Sequence, residues 1–248
     1  MNQTAKLART FRKIVVRSAI AITVIFGTSF VGISAYVFSP PSVHRLSLPS
    51  NLIGLDSPLG QQLLAESRTK QDYAILAQQF QTQKLRAYCG VASAVTVLNA
   101  LKPSVPPFNQ DTFFTPQAEK IRSSYAVAFM GMSLEQLAAL LKSHEVRVET
   151  HHASDTTLEQ FRTQVKANLA RDRDFVVVNY ERAGIGQTKG GHISPISAYH
   201  EKSDRFLIKD VSSYKYPLVW VSASDLWKAM NTHDFSTNRT RGYLLIHQ

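Results

Sequence analysis

Tyr88-Cys89-Gly90-Val91-Ala92-Ser93-Ala94-Val95-Thr96-Val97-Leu98-Asn99-Ala100-Leu101 is the stretch from which the fold can be read. Val91, Ala94, Val95, Leu98 and Leu101 recur at three- and four-residue spacing, the signature of a buried helix. Lys102-Pro103 ends it, and the Pro-rich stretch to Pro116 reads as loop. The one cysteine of the chain therefore stands in the first turn of a helix. Free backbone N–H groups and the positive end of the helix dipole favour a thiolate there. Gly90 leaves the approach to sulfur open. Position and neighbours alone admit two readings of Cys89, a nucleophile or a small apolar packing residue.

Downstream, Ser133 with Gln136 and Thr156 with Glu159 read as capping boxes opening two further helices. Upstream, Gln61 to Gln79 carries a weaker helical pattern. The period then changes. Glu145 to Thr150, Phe175 to Tyr180, His192 to Tyr199, Arg205 to Val211 and Gly242 to Ile246 are short β-rich runs. Helices first and antiparallel strands after predict an α+β domain of two lobes.

A nucleophilic sulfur needs a proton partner. His192, behind Gly190-Gly191, starts one strand, and Asp210 ends the next. The turn Glu201-Lys202-Ser203-Asp204 lies midway, so a hairpin would fold the two side chains together, with the acid orienting the imidazole. A purely structural strand histidine is the competing reading. Gln83, six residues before Cys89, suits an oxyanion donor beside the Cys89 backbone N–H, each such donor contributing about 3 kcal/mol.

The remaining chain sets bounds. It has 248 residues, 44% of them hydrophobic, and a formal charge of +10. Lys6, Arg9, Arg12, Lys13, Arg17 and Arg45 precede the first acid, Asp56, which leaves 22 basic against 18 acidic residues in the rest. The excess flanks Ser18 to Phe38, an uncharged apolar run of 21 residues, long enough to span a bilayer's roughly 30 Å core. Charge asymmetry puts the N-terminus in the cytoplasm and the catalytic domain outside the membrane. A cleaved signal or a buried core helix are the alternatives. Expected boundaries are a basic leader with anchor over 1–38, a linker over 39–58 with little regular structure, and a catalytic domain over 59–248. One cysteine excludes an internal disulfide and a multi-cysteine metal site. Nucleic acid is not an expected partner, because the basic excess belongs to the membrane flank and no aromatic-basic motif is present. A membrane-tethered metal-binding protein has only eight histidines in support, with no short chelating motif.

Phe80-Gln81-Thr82-Gln83, Tyr88-Cys89-Gly90-Val91-Ala92-Ser93, Gly191-His192-Ile193-Ser194-Pro195-Ile196, Asp210-Val211 with Lys215-Tyr216-Pro217, and Thr240-Arg241-Gly242-Tyr243 together resemble the phytochelatin synthase catalytic domain. The resemblance runs from about residue 60 to the C-terminus. It implies a papain-like fold, with Cys89 in a helical lobe and His192 and Asp210 in an antiparallel sheet lobe. It further implies attack by Cys89 on the cysteinyl-glycine amide of glutathione, leaving a γ-glutamylcysteinyl thioester for a second glutathione or water. Arg241 and Asp234 would hold the acyl group, as would, by looser matches, Arg182 and the backbone of Gly191. An Arg suits the substrate carboxylate and an Asp its ammonium. No intrinsic cofactor is implied; cadmium or zinc would enter bound to the glutathione thiol, or as activators, and a homodimer is compatible. Plant members carry a cysteine-rich C-terminal extension linked to metal response, and no second cysteine stands here, so metal activation through such a region is not expected. They also carry an arginine where this chain has Ser212 and Ser213, so hydrolysis is expected to dominate over synthesis. A membrane-anchored papain-like peptidase, with the same Gln, Cys, His and Asp roles, remains the alternative.

Overall fold

A computed structural model describes residues 32–103 and 106–247. The chain divides between Ser39 and Pro40 into two units, each considered by itself. Of the apolar run, residues 32–38 are helical and the rest lies outside the described residues. Among the described residues no helix is long and apolar enough to cross a membrane.

The second unit starts earlier than the composition of the linker suggests. The N–H groups of His44 and Leu46 donate to the carbonyls of Tyr214 and Lys215, each at 3.0 Å. Leu48 packs on the core, Leu52 is buried, and β1 (Ile53–Gly54) pairs with a strand near the C-terminus. Leu46, Leu48, Leu52 and Leu55 give the Pro- and Ser-rich stretch enough apolar surface to stay on the domain, where a solvated linker was expected.

Three helices follow, α1 (Pro58–Glu66), α2 (Gln71–Gln78) and α3 (Cys89–Leu101), the last buried along its whole length from Gly90. Apolar contact covers most of α3, and the polar stripe Ser93, Thr96 and Asn99 is buried too because each hydroxyl or amide bonds to backbone. Ser93 Oγ donates to the Ile193 carbonyl at 3.0 Å, Thr96 Oγ1 accepts from the Gln81 N–H at 3.1 Å, and Asn99 brackets Phe108. That stripe fastens the cysteine helix to the strand of His192 and to the segment of Gln83.

Beyond the loop come α4 (Pro116–Ile121), α5 (Ser124–Met130) and α6 (Leu134–Lys142), α6 opening with the expected Ser133–Gln136 capping box. Strand β2 (Arg147–His152) leads to α7 (Leu158–Leu169). The box there is Thr157 with Gln160, one residue later than expected, because Thr157 takes the extended N-cap conformation. Next are β3 (Phe175–Glu181), β4 (Gly191–His200), β5 (Arg205–Ile208), β6 (Val219–Ser222), α8 (Ala223–Met230), β7 (His233–Asp234), β8 (Arg239–Thr240) and β9 (Gly242–His247). Seven strands make one antiparallel sheet in the order β1-β6-β5-β4-β3-β9-β2, and β7 and β8 form a separate pair. Helices α7 and α8 cover one face through Phe161, Val165, Leu226 and Ala229. On the other face Leu63 of α1 packs with Leu207 and Trp220. The fold is α+β, with the sheet sandwiched between helical layers.

Buried in α2, Asp72 has an Oδ2 without a partner among the described residues, and burial, aided by Asp174 and Asp172, pushes its pKa up to about 9. Its native carboxyl keeps a proton that the unfolded chain releases near pH ~4, so stability falls as pH rises between about 4 and 9. Asp72→Asn is therefore expected to be more stable than the parent at pH 8 by about 1–3 kcal/mol, with the gain shrinking towards pH 4. Urea unfolding at the two pH values checks this; equal gains at both would refute it.

Candidate active site

Cys89 is the first residue of α3, with Tyr88 as N-cap and no side-chain cap, so its own N–H and that of Gly90 are open at the helix start. The residue is half-buried and free of disulfide. Burial pushes the thiol pKa up, against the Ile193 N–H, the charge of Arg182 and the Gly90 N–H, which pull it down. The helix N-terminus was expected to favour a thiolate; desolvation outweighs the groups that would stabilise one, and the thiol pKa stands above its ordinary value. A larger residue at position 90 would also crowd Met132, since a Cβ there would stand 2.7 Å from its sulfur and the methionine side chain would have to shift.

His192 and Asp210 meet as the hairpin predicts, with Nε2 2.9 Å from Oδ1. Their register is not symmetric, however. Tyr199 opposes Phe206 and His200 opposes Arg205, and an irregularity between Ile196 and Ala198 shifts the pairing by one. Strand β5 ends at Ile208, so Asp210 follows in the loop. Ser194 Oγ fills the resulting gap, 2.9 Å from His192 Nε2 and accepting from the Val211 N–H at 3.3 Å. With Nε2 committed to the acid, Nδ1 is the nitrogen left for proton exchange with sulfur. Burial and then the charge of Arg182 lower the His192 pKa to about 4, although Asp210 opposes them. Burial would raise Asp210, but His192 and Arg182 outweigh it and hold the carboxyl well below the ordinary carboxylate range.

Arg182 does not stand with the other residues expected to bind the acyl group. It opens a 3₁₀ turn after β3, is buried, and forks onto Asp210 with both N–O distances at 2.8 Å. Its Nη1 also donates to Gln187, and its guanidinium lies 5.3 Å from the Tyr216 ring centre. These partners commit its terminal nitrogens to the acid, which corrects the substrate-binding expectation. Gln83 is likewise engaged. Its Nε2 donates to the carbonyls of Leu85 at 2.9 Å and Arg86 at 2.8 Å, and its Oε1 accepts from the Ser212 hydroxyl at 2.6 Å. Carbonyls on one side and a hydroxyl on the other fix which end is nitrogen. An oxyanion would have to share one of these hydrogens.

Cys89, His192 and Ile193 open onto a cleft of about 400 Å³ whose wall on the sheet side is Asn179, Gly191, Asp234, Ser236 and Arg241. Arg241 Nη1 lies 3.1 Å from Asn179 Oδ1 and 3.4 Å from Asp234 Oδ2, while its Nη2 is 3.5 Å from Glu181. Its buried Nε has no partner among the described residues. Asp234 Oδ1 accepts from the backbone N–H of Ser236 at 3.0 Å and its hydroxyl at 2.6 Å. Gly191 is where the guanidinium passes, for a Cβ there would be 2.7 Å from Nη1. Three of the expected acyl-binding residues, Gly191, Asp234 and Arg241, thus share the cleft with the thiol and imidazole. Asn179 joins them unforeseen; its only sequence signal is a lone amide in the apolar strand Val176-Val177-Val178-Asn179-Tyr180. Among the described residues no group of three or more His, Cys, Asp or Glu side chains is placed to hold a metal ion.

A sequence model of phytochelatin synthase matches residues 43–243. The chain belongs to the phytochelatin synthase family. It is 34% identical over 213 residues to glutathione gamma-glutamylcysteinyltransferase 3 of Lotus japonicus, covering 82% of this chain and 44% of that protein. The Arabidopsis thaliana glutathione gamma-glutamylcysteinyltransferase 2 is 34% identical over 216 residues, 84% of this chain and 47% of its own length. A Schizosaccharomyces pombe glutathione gamma-glutamylcysteinyltransferase is 28% identical over 212 residues, 83% of this chain and 51% of that one. The chain spans about half the length of these curated relatives. As a phytochelatin synthase family member it holds its matched segment from just before the Leu46–Leu55 arm to β9, which is the unit that carries the cleft.

Proposed function

We propose that the chain is a glutathione γ-glutamylcysteinyltransferase of papain-like fold that works through a Cys89 thioester. The observation that carries the reading is a paired acid and arginine, Asp234 and Arg241, in the same cleft as the thiol and imidazole. A γ-glutamyl group ends in an α-carboxylate and an α-ammonium, and this pair with Asn179 complements both. The cysteine helix packed against the sheet that bears His192, with Asp210 in the loop after β5, supports the papain-like assignment.

With glutathione bound, the cysteinyl carbonyl lies against Sγ. His192 Nδ1 takes the thiol proton as sulfur adds to that carbonyl, and the imidazolium is stabilised by Asp210. The Cys89 N–H and one hydrogen of Gln83 stabilise the oxyanion. As the C–N bond breaks, His192 returns the proton to the departing nitrogen and glycine leaves, giving the γ-glutamylcysteinyl thioester. An acceptor amine then loses a proton to His192 and displaces sulfur, which extends the chain by one γ-glutamylcysteinyl unit; water in its place gives γ-glutamylcysteine. Ser212 and Ser213 bond to Gln83 and Thr82, so they offer no cation for a second glutathione, and hydrolysis dominates in this reading. Glutathione thiolates of cadmium or zinc enter as substrates on the same terms, and the apolar run over 18–38 tethers the domain outside the cytoplasmic membrane.

Incubation with glutathione is expected to release glycine together with γ-glutamylcysteine or its transfer product. Release of no glycine, with cleavage of ordinary α-peptides lacking a γ-glutamyl group, would instead make the protein a peptidase. Repeating the assay with each ion tests the metal thiolates.

A further inference from the structure

Three charged side chains line the cleft among the described residues besides His192, which is neutral at rest: Arg241, Asp234 and Arg86. Two positive charges and one negative mirror glutathione, which carries two carboxylates and one ammonium. Resting on the reading above, Arg241 and Asp234 take the carboxylate and ammonium of the γ-glutamyl end. The second carboxylate, on the glycine, then meets the second cation.

We propose that Arg86 binds the glycine carboxylate of the donor and so selects substrates with a free carboxylate one residue beyond the scissile amide. Arg86 stands three residues before Cys89, so its backbone lies within about 10 Å of the nucleophile even if the chain is extended. Its place is fixed. Gln83 Nε2 donates to the Arg86 carbonyl at 2.8 Å, and Tyr88 N–H donates to the Leu85 carbonyl at 3.1 Å, closing the turn that delivers Arg86 to the cleft. A glycine is only about 3.5 Å long, so its carboxylate stays near the sulfur, within the span of an arginine side chain from that turn. The Gln83 brace thus serves two ends of the reaction, presenting an amide hydrogen near the oxyanion and setting the arginine at the leaving group. The selectivity is one of binding: a guanidinium fork on a carboxylate recognises the intact donor and loses it once glycine departs.

The test compares glutathione with its glycine ethyl ester, in which that carboxylate is capped, on the parent and on Arg86→Gln. The parent is expected to favour glutathione by about 10- to 100-fold in kcat/KM, mainly through KM. Arg86→Gln is expected to lose that preference while cleaving the ester at the parent's rate, and Arg86→Lys to recover part of it. Ester cleavage at the parent's rate also reports that the variant is folded. A parent indifferent to the cap, or an Arg86→Gln protein that keeps the full preference, overturns the role of Arg86 and leaves the thioester reading intact. A parent that releases neither glycine from glutathione nor glycine ethyl ester from its ester overturns the thioester reading, and this role with it.

Discussion

Cys89→Ala is expected to reduce glycine release from glutathione by about 10⁴- to 10⁶-fold, the scale of loss when a nucleophile is removed from a relay that acts as a unit. The fold should survive, because the side chain is small and half-buried; a change within about 1 kcal/mol is expected. Rates of glycine release and urea unfolding of the same preparation check the two halves of the statement. The parent's pH dependence belongs to the same account. Thiol and imidazole are both uncharged at rest, so the base is already in its working form at neutral pH. As pH falls through about 4, His192 takes up a proton and kcat/KM drops; above that value the profile stays flat until the raised thiol itself ionises. A thiolate–imidazolium resting pair would instead place the acid limb at the thiol's own pKa.

Arg182→Met is expected to destabilise the protein by about 3–5 kcal/mol, because it leaves the fully buried Asp210 carboxylate with only His192 and one backbone N–H. Two further losses follow, the donor to Gln187 and the cation over the Tyr216 ring. Removing this positive charge also removes the larger of the two charges that lower the imidazole pKa, so in whatever fraction folds, the acid limb of kcat/KM moves upward from about 4. Urea unfolding and a pH–rate profile report both effects. A stable variant with an unmoved profile and a raised KM for glutathione would return Arg182 to the substrate pocket where sequence resemblance had put it.

Arg182 also shows where sequence reading stops. Its partner Asp210 is 28 residues away, and nothing in the local pattern tells whether an arginine after an apolar strand faces a cleft or a buried acid. The helix from Cys89 was legible because its apolar positions repeat over three turns, and Ser133 with Gln136 because both halves of the capping box are local. Thr156 and Thr157 are adjacent, and both begin a plausible box; only the backbone at Thr157 decides. Strand β6, four residues long, and helix α8 behind it went unread, although Ser222 and Asp225 carry the cap signal that the structure uses. The hairpin of His192 and Asp210 was legible as a hairpin but not in register, because the shift between Ile196 and Ala198 leaves no mark in an otherwise apolar run. Asn179 and Ser212 were missed for a common reason: each matters through a neighbour on another strand or loop, which a linear pattern does not contain.

Intact-mass analysis of the protein quenched shortly after mixing with glutathione tests the central claim most directly. The account predicts a γ-glutamylcysteinyl adduct on Cys89, labile to hydroxylamine, with one glycine released for each adduct formed. An adduct that still contains glycine and is removed by a reducing agent, which is a mixed disulfide with whole glutathione, or no adduct beside continuing glycine release from a Cys89→Ala protein, would contradict it.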